Sequence, residues 1–463
     1  MKQGEILTLD IDSINSEGEG IARVGGEHFV VFVANALPGE RVKCQVLKVS
    51  KKYAAATTLE ILKPSDVRVA PKCPVYFKCG GCQLQHASYG AQLAIKAKIL
   101  ADAMRRIAGI ELPKGLACTP SPSEWGYRNK TTLPVVQGRK GPLFGYYERR
   151  SHRVVPFASC PVLIPALEKL VVSSVVSLSA SGLKGYDERS GTGDLRYLAA
   201  RVGGEHSLLG IVVPHEPKKR ELGKLRDLCQ KLAAADGALA GATLNVNGAS
   251  GNFIWGPQFK SLCGSRTVTQ YLNESDFKLD VSAFFQVNAS QAEAMFEYVS
   301  GLVKEAASTS VLELYSGVGS LTAHLARIAE RVDAVEEWRP AVRLMEENLA
   351  LNGLENVRVH ADAAEAFMKG DLEPGSYNAI VLDPPRTGCD ESVIAGIKHV
   401  LPRSVIYVSC NPATLARDVS RLTDGGTFAF EGVRAFDMFP QTAHVEAVAL
   451  LKRSEGIAEV QKK

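Results

Sequence analysis

A cysteine at the end of an apolar segment is the first residue in this chain that could carry out chemistry. Cys410 follows Ile406-Tyr-Val-Ser and precedes Asn411-Pro412, so it ends a predicted strand and enters a loop. In an open parallel sheet the carboxyl ends of the strands form the ligand-binding edge, where a thiolate can act as a nucleophile. The alternative is a buried structural cysteine, which is the commoner role of a single cysteine.

A glycine-rich turn predicts a nucleotide or nucleoside site. Gly317 and Gly319 lie between a predicted strand and a predicted helix, where the missing Cβ lets the backbone approach a ligand. Glu336 ends the next predicted strand and can accept hydrogen bonds from ribose hydroxyls. Asp362 follows the third strand and is placed to meet an adenine edge. These residues suit either a dinucleotide or S-adenosyl-L-methionine.

The segment Val381-Leu-Asp-Pro-Pro-Arg386 distinguishes these two ligands. Its two prolines keep the backbone extended and remove two N–H donors, which leaves Asp383 at the same edge as Cys410. A strand followed by Asp-Pro-Pro is what nucleic-acid methyltransferases place beside the transferred methyl group, and nicotinamide enzymes have no use for it. The pattern therefore favours S-adenosylmethionine.

Three cysteines near residue 80 indicate a metal site. Cys73, Cys79 and Cys82 have the spacing C-x5-C-x2-C, and Cys160 is a distant fourth candidate. This spacing offers no isolated pair for a disulfide and suits metal coordination better. The residues alone leave zinc and an iron–sulfur cluster open.

The elements that must position these residues follow from the pattern after residue 305 or so. Predicted strands alternate there with predicted helices, which favours a mostly parallel, doubly wound, Rossmann-like α/β sheet. The predicted strands are Val311–Tyr315, Val332–Glu336, Val357–Ala361, Tyr377–Leu382 and Ser404–Ser409. Two of the predicted helices are Leu321–Ala329 and Pro340–Leu351.

The N-terminal residues predict a different fold, a small barrel of the oligonucleotide-binding (OB) kind, because short strands alternate with turn-formers. Its predicted strands are Glu5–Ile11, Gly20–Val24, Phe29–Val33, Glu40–Val49 and Ala54–Ile61. The chain as a whole is thus a multidomain α/β protein. We assign 1–68 to the barrel, 69–272 to a mixed central domain with the cysteine loop, and 273–463 to the α/β domain. A helix over 90–108 falls within the central domain by its position in the chain. It can nevertheless pack on the α/β domain.

Positive charge is concentrated in one part of the chain. Residues 71–160 contain fourteen Lys or Arg and four Asp or Glu, whereas the whole chain has a net charge of only +4. Such a segment is expected where a phosphate backbone binds, although a solvated surface with counterions explains it equally well. No apolar run approaches the ~20 residues of a membrane span, and Met1–Asp12 lacks the features of a secretion signal. We therefore expect a cytoplasmic protein that does not contact a membrane.

The chain resembles the RNA 5-methyluridine (uracil-C5) methyltransferase family, specifically the iron–sulfur branch that acts on large-subunit ribosomal RNA and carries an N-terminal TRAM domain. The resemblance extends over nearly the whole chain. The motifs that carry it are Leu382–Cys389 (LDPPRTGC), Tyr407–Asp418 (YVSCNPATLARD), Phe284–Asn288 (FFQVN) and His444–Glu446 (HVE). It implies that Cys410 is the nucleophile and Glu446 the base. The positions that it implies for contacts with the methyl donor or the reacting base are Gln286, Tyr315, Ser320, Glu336, Asp362 and Asp383.

The resemblance also implies that Cys73, Cys79, Cys82 and Cys160 hold a 4Fe–4S cluster, and that ribosomal RNA is the macromolecular partner. Two alternatives stay open, which are the same reaction on transfer RNA and an RNA-binding assembly factor with an inactive methyltransferase domain. An iron–sulfur oxidoreductase with a dinucleotide site is a third reading, and the Asp-Pro-Pro segment opposes it.

Overall fold

The computed structural model describes residues 1–25, 29–249, 251, 253–306 and 309–454. Three large sheets and a β-hairpin follow one another along the chain. None of the helices in the described ranges is long and apolar enough to cross a membrane.

The N-terminal sheet has six described strands in the order β1-β5-β6-β4-β3-β2. These strands are β1 (Ile6–Asp10), β2 (Ser13–Ile14), β3 (Gly20–Val24), β4 (Phe29–Ala34), β5 (Arg41–Val49) and β6 (Tyr53–Lys63). Strands β1 and β2 form opposite edges of the sheet although only Ile11 and Asp12 separate them, so the sheet must curl. It encloses a separate apolar core that includes Val31, Val33 and Val46. The five predicted strands are all present, with ends shifted by at most two residues.

The segment after the N-terminal sheet contributes to the C-terminal part of the molecule. It contains helix α1 (Tyr89–Ala103), which continues as one π-helical turn to Ala108, and strand β7 (Cys118–Thr119). Ala97, Leu100 and Met104 share a core with residues of the C-terminal sheet, and β7 pairs in parallel with an edge strand of that sheet.

The central sheet has seven described strands in the order β10-β9-β8-β11-β12-β13-β14. Its elements are β8 (Lys130–Gly138), β9 (Gly141–Tyr147), β10 (Val154–Pro156), α2 (Pro165–Ser179), β11 (Tyr197–Gly203), β12 (His206–Val213), α3 (Lys219–Ala235), β13 (Leu239–Val246) and β14 (Gln258–Gly264). Helices α2 and α3 pack on the sheet around one apolar core. A hairpin of β15 (Val268–Leu272) and β16 (Ser275–Leu279) leads to helix α4 (Ala289–Glu305).

The C-terminal sheet is doubly wound. Its further elements are β17 (Ser310–Leu314), α5 (Ser320–Ala326), β18 (Arg331–Val335), α6 (Arg339–Leu351), β19 (Val357–His360), α7 (Ala364–Phe367), β20 (Ala379–Leu382), α8 (Glu391–Val400), β21 (Ser404–Ser409), α9 (Pro412–Thr423), β22 (Phe428–Phe436) and β23 (Glu446–Arg453). The strand order is β19-β18-β17-β20-β21-β23-β22-β7, and the first five strands are parallel. Ile380 and Val381 belong to different apolar cores on the two faces of the sheet. Both faces are covered, as the near-continuous apolar strands predict.

Most predicted boundaries in the C-terminal sheet lie within one residue of the observed ones, two differ by more, and two of its later strands were not predicted. Helix α5 ends at Ala326, three residues before its predicted end, where the Ile328 amide bonds to the Leu325 carbonyl in a tighter i→i−3 turn before β18 begins. Strand β20 begins at Ala379, because the Asn378 side chain accepts hydrogen bonds from residues 309 and 310. Strands β22 and β23 were not predicted, since no helix separates them; β23 is antiparallel to both β21 and β22.

A buried ion pair joins α1 to the C-terminal sheet. Lys96 and Asp437 contact each other, and both side chains are fully buried. Lys96 also donates to the Phe439 carbonyl at 2.9 Å. Burial lowers the pKa of Lys96, and the Asp437 carboxylate opposes that effect. Because each charge is removed from water, the pair is tolerated only while both partners are present.

We predict that Lys96→Met lowers the free energy of unfolding by about 3–5 kcal/mol, because it leaves the Asp437 charge buried without its partner. The double variant Lys96→Met/Asp437→Leu serves as the matched control and should recover much of that loss. Thermal and urea unfolding of the three proteins measure this difference. A double variant no more stable than Lys96→Met would contradict the role of the pair.

Candidate active site

The turn after β17 has an unusual backbone. Tyr315, Gly317 and Gly319 have φ angles of 65°, 58° and 83°. This left-handed region favours glycine, so Tyr315 stores local strain of about 1–3 kcal/mol, a feature that clusters at binding sites. A Cβ at Gly319 would lie 2.8 Å from the Met345 side chain, so only glycine fits between the turn and α6. The amide of Gly317 donates to the Glu336 carboxylate at 2.9 Å, which joins the turn to the end of β18.

Asp383 follows β20, and the two prolines after it carry the backbone along the cavity wall. Burial raises the pKa of Asp383 to about 6. Its loop is fastened to the next one, because the Asn411 side chain donates to the Arg386 carbonyl at 2.9 Å. Asn411 also caps α9 by accepting from the Ala413 amide at 3.1 Å.

Cys410 lies between β21 and that cap and is half-buried. Burial and, after it, the negative charges of Glu446 and Asp383 raise the pKa of the Cys410 thiol to about 11, and the charge of Arg386 opposes them. The thiol therefore lies close to two carboxyl groups that disfavour its ionisation.

Glu446 is the first residue of β23 and pairs with Phe436 at the end of β22. Its side chain is only 4% exposed. Burial raises the pKa of Glu446 to about 8, the charge of Asp383 adds to the effect, and Arg386 opposes it. A carboxyl group with this pKa can both accept and release a proton near neutral pH.

One cavity of about 520 Å³ brings these groups together. Every predicted donor-site and catalytic residue lines it, namely Gln286, Tyr315, Ser320, Glu336, Asp362, Asp383, Cys410 and Glu446. Glu337 also lines the cavity but is exposed, whereas Glu336 holds the glycine turn. The cavity is large enough for a nucleoside-sized ligand with room for a second group near Cys410.

Sequence reasoning missed two charged residues of this cavity. Glu313 lies within β17, is 3% exposed, and has one carboxylate oxygen without a hydrogen-bond partner in the described part of the chain. Burial raises the pKa of Glu313 to about 8. An acidic residue inside an otherwise apolar strand was the available signal. Arg386 was read only as the end of a motif, although it is the cation that faces Cys410 and Glu446.

A second cavity, of about 190 Å³, is lined by Cys73, Cys79, Cys82 and Cys160 together. No group of three or more His, Cys, Asp or Glu in the described residues is close enough to hold a single metal ion. The four cysteines line the wall of this cavity and are not gathered around one point. Arg128 also lines this space.

Fewer basic side chains of segment 71–160 are available to bind phosphate than its composition suggests. Seven of its fourteen Lys and Arg residues make ion pairs or hydrogen bonds within the protein; these are Lys96, Lys98, Arg105, Arg128, Lys130, Arg150 and Arg153. Arg149 has a terminal nitrogen that is buried without a partner among the described residues. Further exposed lysines lie at the end of β5 and in the turn before β6, at Lys48, Lys51 and Lys52.

Comparison with known proteins gives two family matches. Residues 269–454 match the tRNA (uracil-5-)-methyltransferase family, and residues 1–59 match the TRAM domain. An uncharacterised RNA methyltransferase of Gloeobacter violaceus is 36% identical, with 98% of this chain and 97% of that protein covered. An uncharacterised RNA methyltransferase of Halalkalibacterium halodurans is 35% identical, with 98% of each chain covered.

One solved structure has the same fold over nearly the full length. It is the tRNA (uracil-54, C5)-methyltransferase of Pyrococcus abyssi in complex with S-adenosyl-L-homocysteine. The TM-score is 0.75 at 24% identity, and the alignment covers 96% of this chain and 99% of that one.

We predict that Glu446→Gln increases the alkylation rate of Cys410 at pH 9 about 3- to 10-fold, because removing a negative charge lowers the pKa of the thiol. Arg386→Ala should act in the opposite direction. Mass spectrometry of the peptide that contains Cys410, after timed exposure to iodoacetamide, measures the rate. Equal rates in all three proteins would mean that these charges do not face the thiol.

Proposed function

Because the chain belongs to the RNA uracil-5 methyltransferase family, we propose that it methylates carbon 5 of uridine in large-subunit ribosomal RNA, with Cys410 as nucleophile and Glu446 as base. The enzyme is an S-adenosylmethionine-dependent RNA methyltransferase, and the substrate and the roles of its residues are the proposal. The observation that carries it is the convergence of Cys410, Asp383 and Glu446 on one cavity beside the glycine turn.

Carbon 5 of uracil is too weak a nucleophile to attack the methyl group by itself. The enzyme must therefore first add a nucleophile of its own to the ring. The Cys410 sulfur forms a bond to carbon 6, and the electrons of the C5–C6 double bond move into an enolate. Carbon 5 of this enolate then attacks the methyl group, whose bond to the sulfonium sulfur breaks so that S-adenosylhomocysteine leaves. Glu446 removes the remaining proton from carbon 5, which restores the double bond and expels the Cys410 thiolate. A raised pKa suits this base, since its carboxylate then binds the proton firmly.

The donor end of the cavity fits S-adenosylmethionine, which when bound supplies an electrophilic methyl group on a positively charged sulfonium. We assign the ribose hydroxyls to Glu336 at the end of β18 and the adenine edge to Asp362. Gln286, Tyr315 and Ser320 surround the remainder of the donor, and Asp383 lies beside the methyl group. We place the uracil ring in the partly exposed part of the cavity next to Cys410, because the methyl donor occupies the remainder.

The reacting uridine must leave its stack to reach Cys410. Phe284 lines the cavity and is 69% exposed, so its ring is available for stacking against an extruded base. We propose that Lys48, Lys51 and Lys52 of the N-terminal sheet contact the phosphate backbone, in keeping with an OB-like barrel. We expect the enzyme in the cytoplasm together with this substrate.

Ribosomal RNA is proposed over transfer RNA on the N-terminal barrel and the cysteine motif. Transfer RNA is the second candidate. The match to the tRNA (uracil-5-)-methyltransferase family and the likeness to the Pyrococcus abyssi enzyme favour it. Both candidates use the same residues, so the two differ only in which RNA is captured.

We further propose that Cys73, Cys79, Cys82 and Cys160 bind a 4Fe–4S cluster. A cluster needs four thiolates around a space, whereas zinc needs them around a point. The 190 Å³ cavity supports the first arrangement. Arg128 on its wall and Arg149, whose positive charge acts on Cys79, are cations that suit a negatively charged group. The cluster would stabilise the fold, because methyl transfer requires no electrons.

We predict that Glu446→Gln stops the reaction after methyl transfer and accumulates a protein–RNA adduct that survives denaturation. Total cellular RNA and methyl-labelled donor are the substrates, and the captured RNA is identified by sequencing. Cys410→Ala should form no adduct, and the wild-type enzyme should release methylated RNA. Capture of transfer RNA would replace the proposed substrate with the second candidate. Free methylated RNA released by Glu446→Gln at the wild-type rate would exclude Glu446 as the base.

Protein purified without air should contain about four irons per chain if the cluster assignment is right. Cys79→Ser should lose this iron, because it removes one of the four thiolates. Cys229→Ser is the matched control, since Cys229 is fully buried and does not line the cavity. Metal analysis measures both variants, and stoichiometric zinc in iron-supplied cells would refute the cluster.

A further inference from the structure

The loop that leads to Glu446 is buried although it has no regular secondary structure. It consists of residues 437–445, between β22 and β23, and Met438, Gln441, Ala443 and Val445 are each at most 3% exposed. A buried loop must have its polar backbone groups bonded elsewhere in the protein. The partners of this loop are therefore what determine its shape.

Gln441 is the most heavily bonded residue of the loop. It has a left-handed backbone with a φ of 71°. Its amide donates to the Gln92 side chain at 2.9 Å, and its carbonyl accepts from the amides of Gln83 and Leu84 at 3.0 and 2.9 Å. Its side chain accepts from Gln92 at 3.0 Å and donates to the Glu124 carbonyl at 3.4 Å. All these partners lie in residues 83–124, more than 300 positions away in the chain.

Gln83 connects the same loop to the cysteines. It directly follows Cys82, and its side chain accepts from the Ala443 amide at 3.3 Å and donates to the Gly80 carbonyl at 2.8 Å. Thr442, next to Gln441, lines the cysteine cavity. The loop thus lies between the cysteine segment (residues 73–83) on one side and Glu446 on the other. Glu446 follows Gln441 by five residues.

The beginning of the loop, next to β22, is held by helix α1. Asp437 contacts Lys96 of α1, and the Phe439 carbonyl accepts from Lys96. Most of the donor-binding side of the cavity uses different elements, namely the turns after β17 and β18 and the loop after β20. Gln286 is the exception, because Asn288, two residues later, donates to the Met438 carbonyl of the loop at 3.1 Å. A displacement of the cysteine segment would therefore reach Glu446 before it reached the methyl donor.

We propose that Gln441 and Gln83 are positioning residues, which transmit the shape of the cysteine segment to Glu446 and so determine the rate of proton removal from carbon 5. This inference rests on the proposed role of Glu446 as the base. Loosening either glutamine should leave donor binding and Cys410 addition nearly unchanged. A base displaced by about 1 Å should act roughly 100-fold more slowly, because catalysis depends steeply on geometry.

The test is a single-turnover reaction of the full-length holoprotein with methyl-labelled donor and the RNA that Glu446→Gln captures. Gln441→Asn keeps a residue that tolerates the left-handed backbone but shortens the amide away from Gln92 and Glu124. Gln83→Ala removes the bond to Ala443 and leaves Gln441 intact. Asn245→Ala is the matched control, because Asn245 is a buried amide bonded to Gly256 and Gln258 within the central sheet.

Both glutamine variants should form the labelled adduct within about threefold of the wild-type rate and resolve it about 10- to 100-fold more slowly. The control variant should resolve it at the wild-type rate. Wild-type resolution in both glutamine variants, or equal slowing of adduct formation and resolution, would overturn the inference. If one variant does not fold, the other decides. Adduct accumulation in Glu446→Gln but in neither glutamine variant would reject the positioning role alone, whereas no accumulation in Glu446→Gln would reject the base itself.

Discussion

Three groups that oppose one another's ionisation share the active cavity: the Cys410 thiol and the carboxyl groups of Asp383 and Glu446. Burial raises the pKa of each, and the two carboxylates raise the pKa of the thiol further. Arg386 opposes this effect at both Cys410 and Glu446. A cationic methyl donor adds positive charge to the same space, so donor binding and thiol ionisation should favour each other. The remaining structure must hold these groups at fixed positions relative to one another.

Rigid elements meet this requirement, because each group is attached at the end of a strand of one sheet. Asp383 follows β20, Cys410 follows β21, and Glu446 begins the antiparallel strand β23. Side chains then fasten neighbouring loops, as Asn411 does to the Arg386 carbonyl and Glu336 does to the Gly317 amide. Fixed donors and charges of this kind need little reorganisation during a reaction.

The order of the elements along the chain does not match the sheets on which they pack. Helix α1 and strand β7 precede the central sheet in the chain, yet they pack on or join the C-terminal sheet. The buried contact between Lys96 and Asp437 strengthens this attachment, because separating the partners would leave two charges away from water. The cysteine segment is consequently adjacent to the loop that ends at Glu446.

The sequence alone predicted the type and order of the first elements of the C-terminal sheet and five strands of the N-terminal sheet, and its motifs pointed to eight of the residues that line the active cavity. These features depend on local patterns, such as apolar strands, the glycine turn and the Asp-Pro-Pro segment. The tertiary structure alone decided which basic residues are engaged inside the protein, where Glu313 and Arg386 act, and what holds the loop before Glu446. Burial and charge depend on neighbours that are distant in the chain, as Gln92 and Gln441 are at 349 positions apart. No local pattern records such a contact.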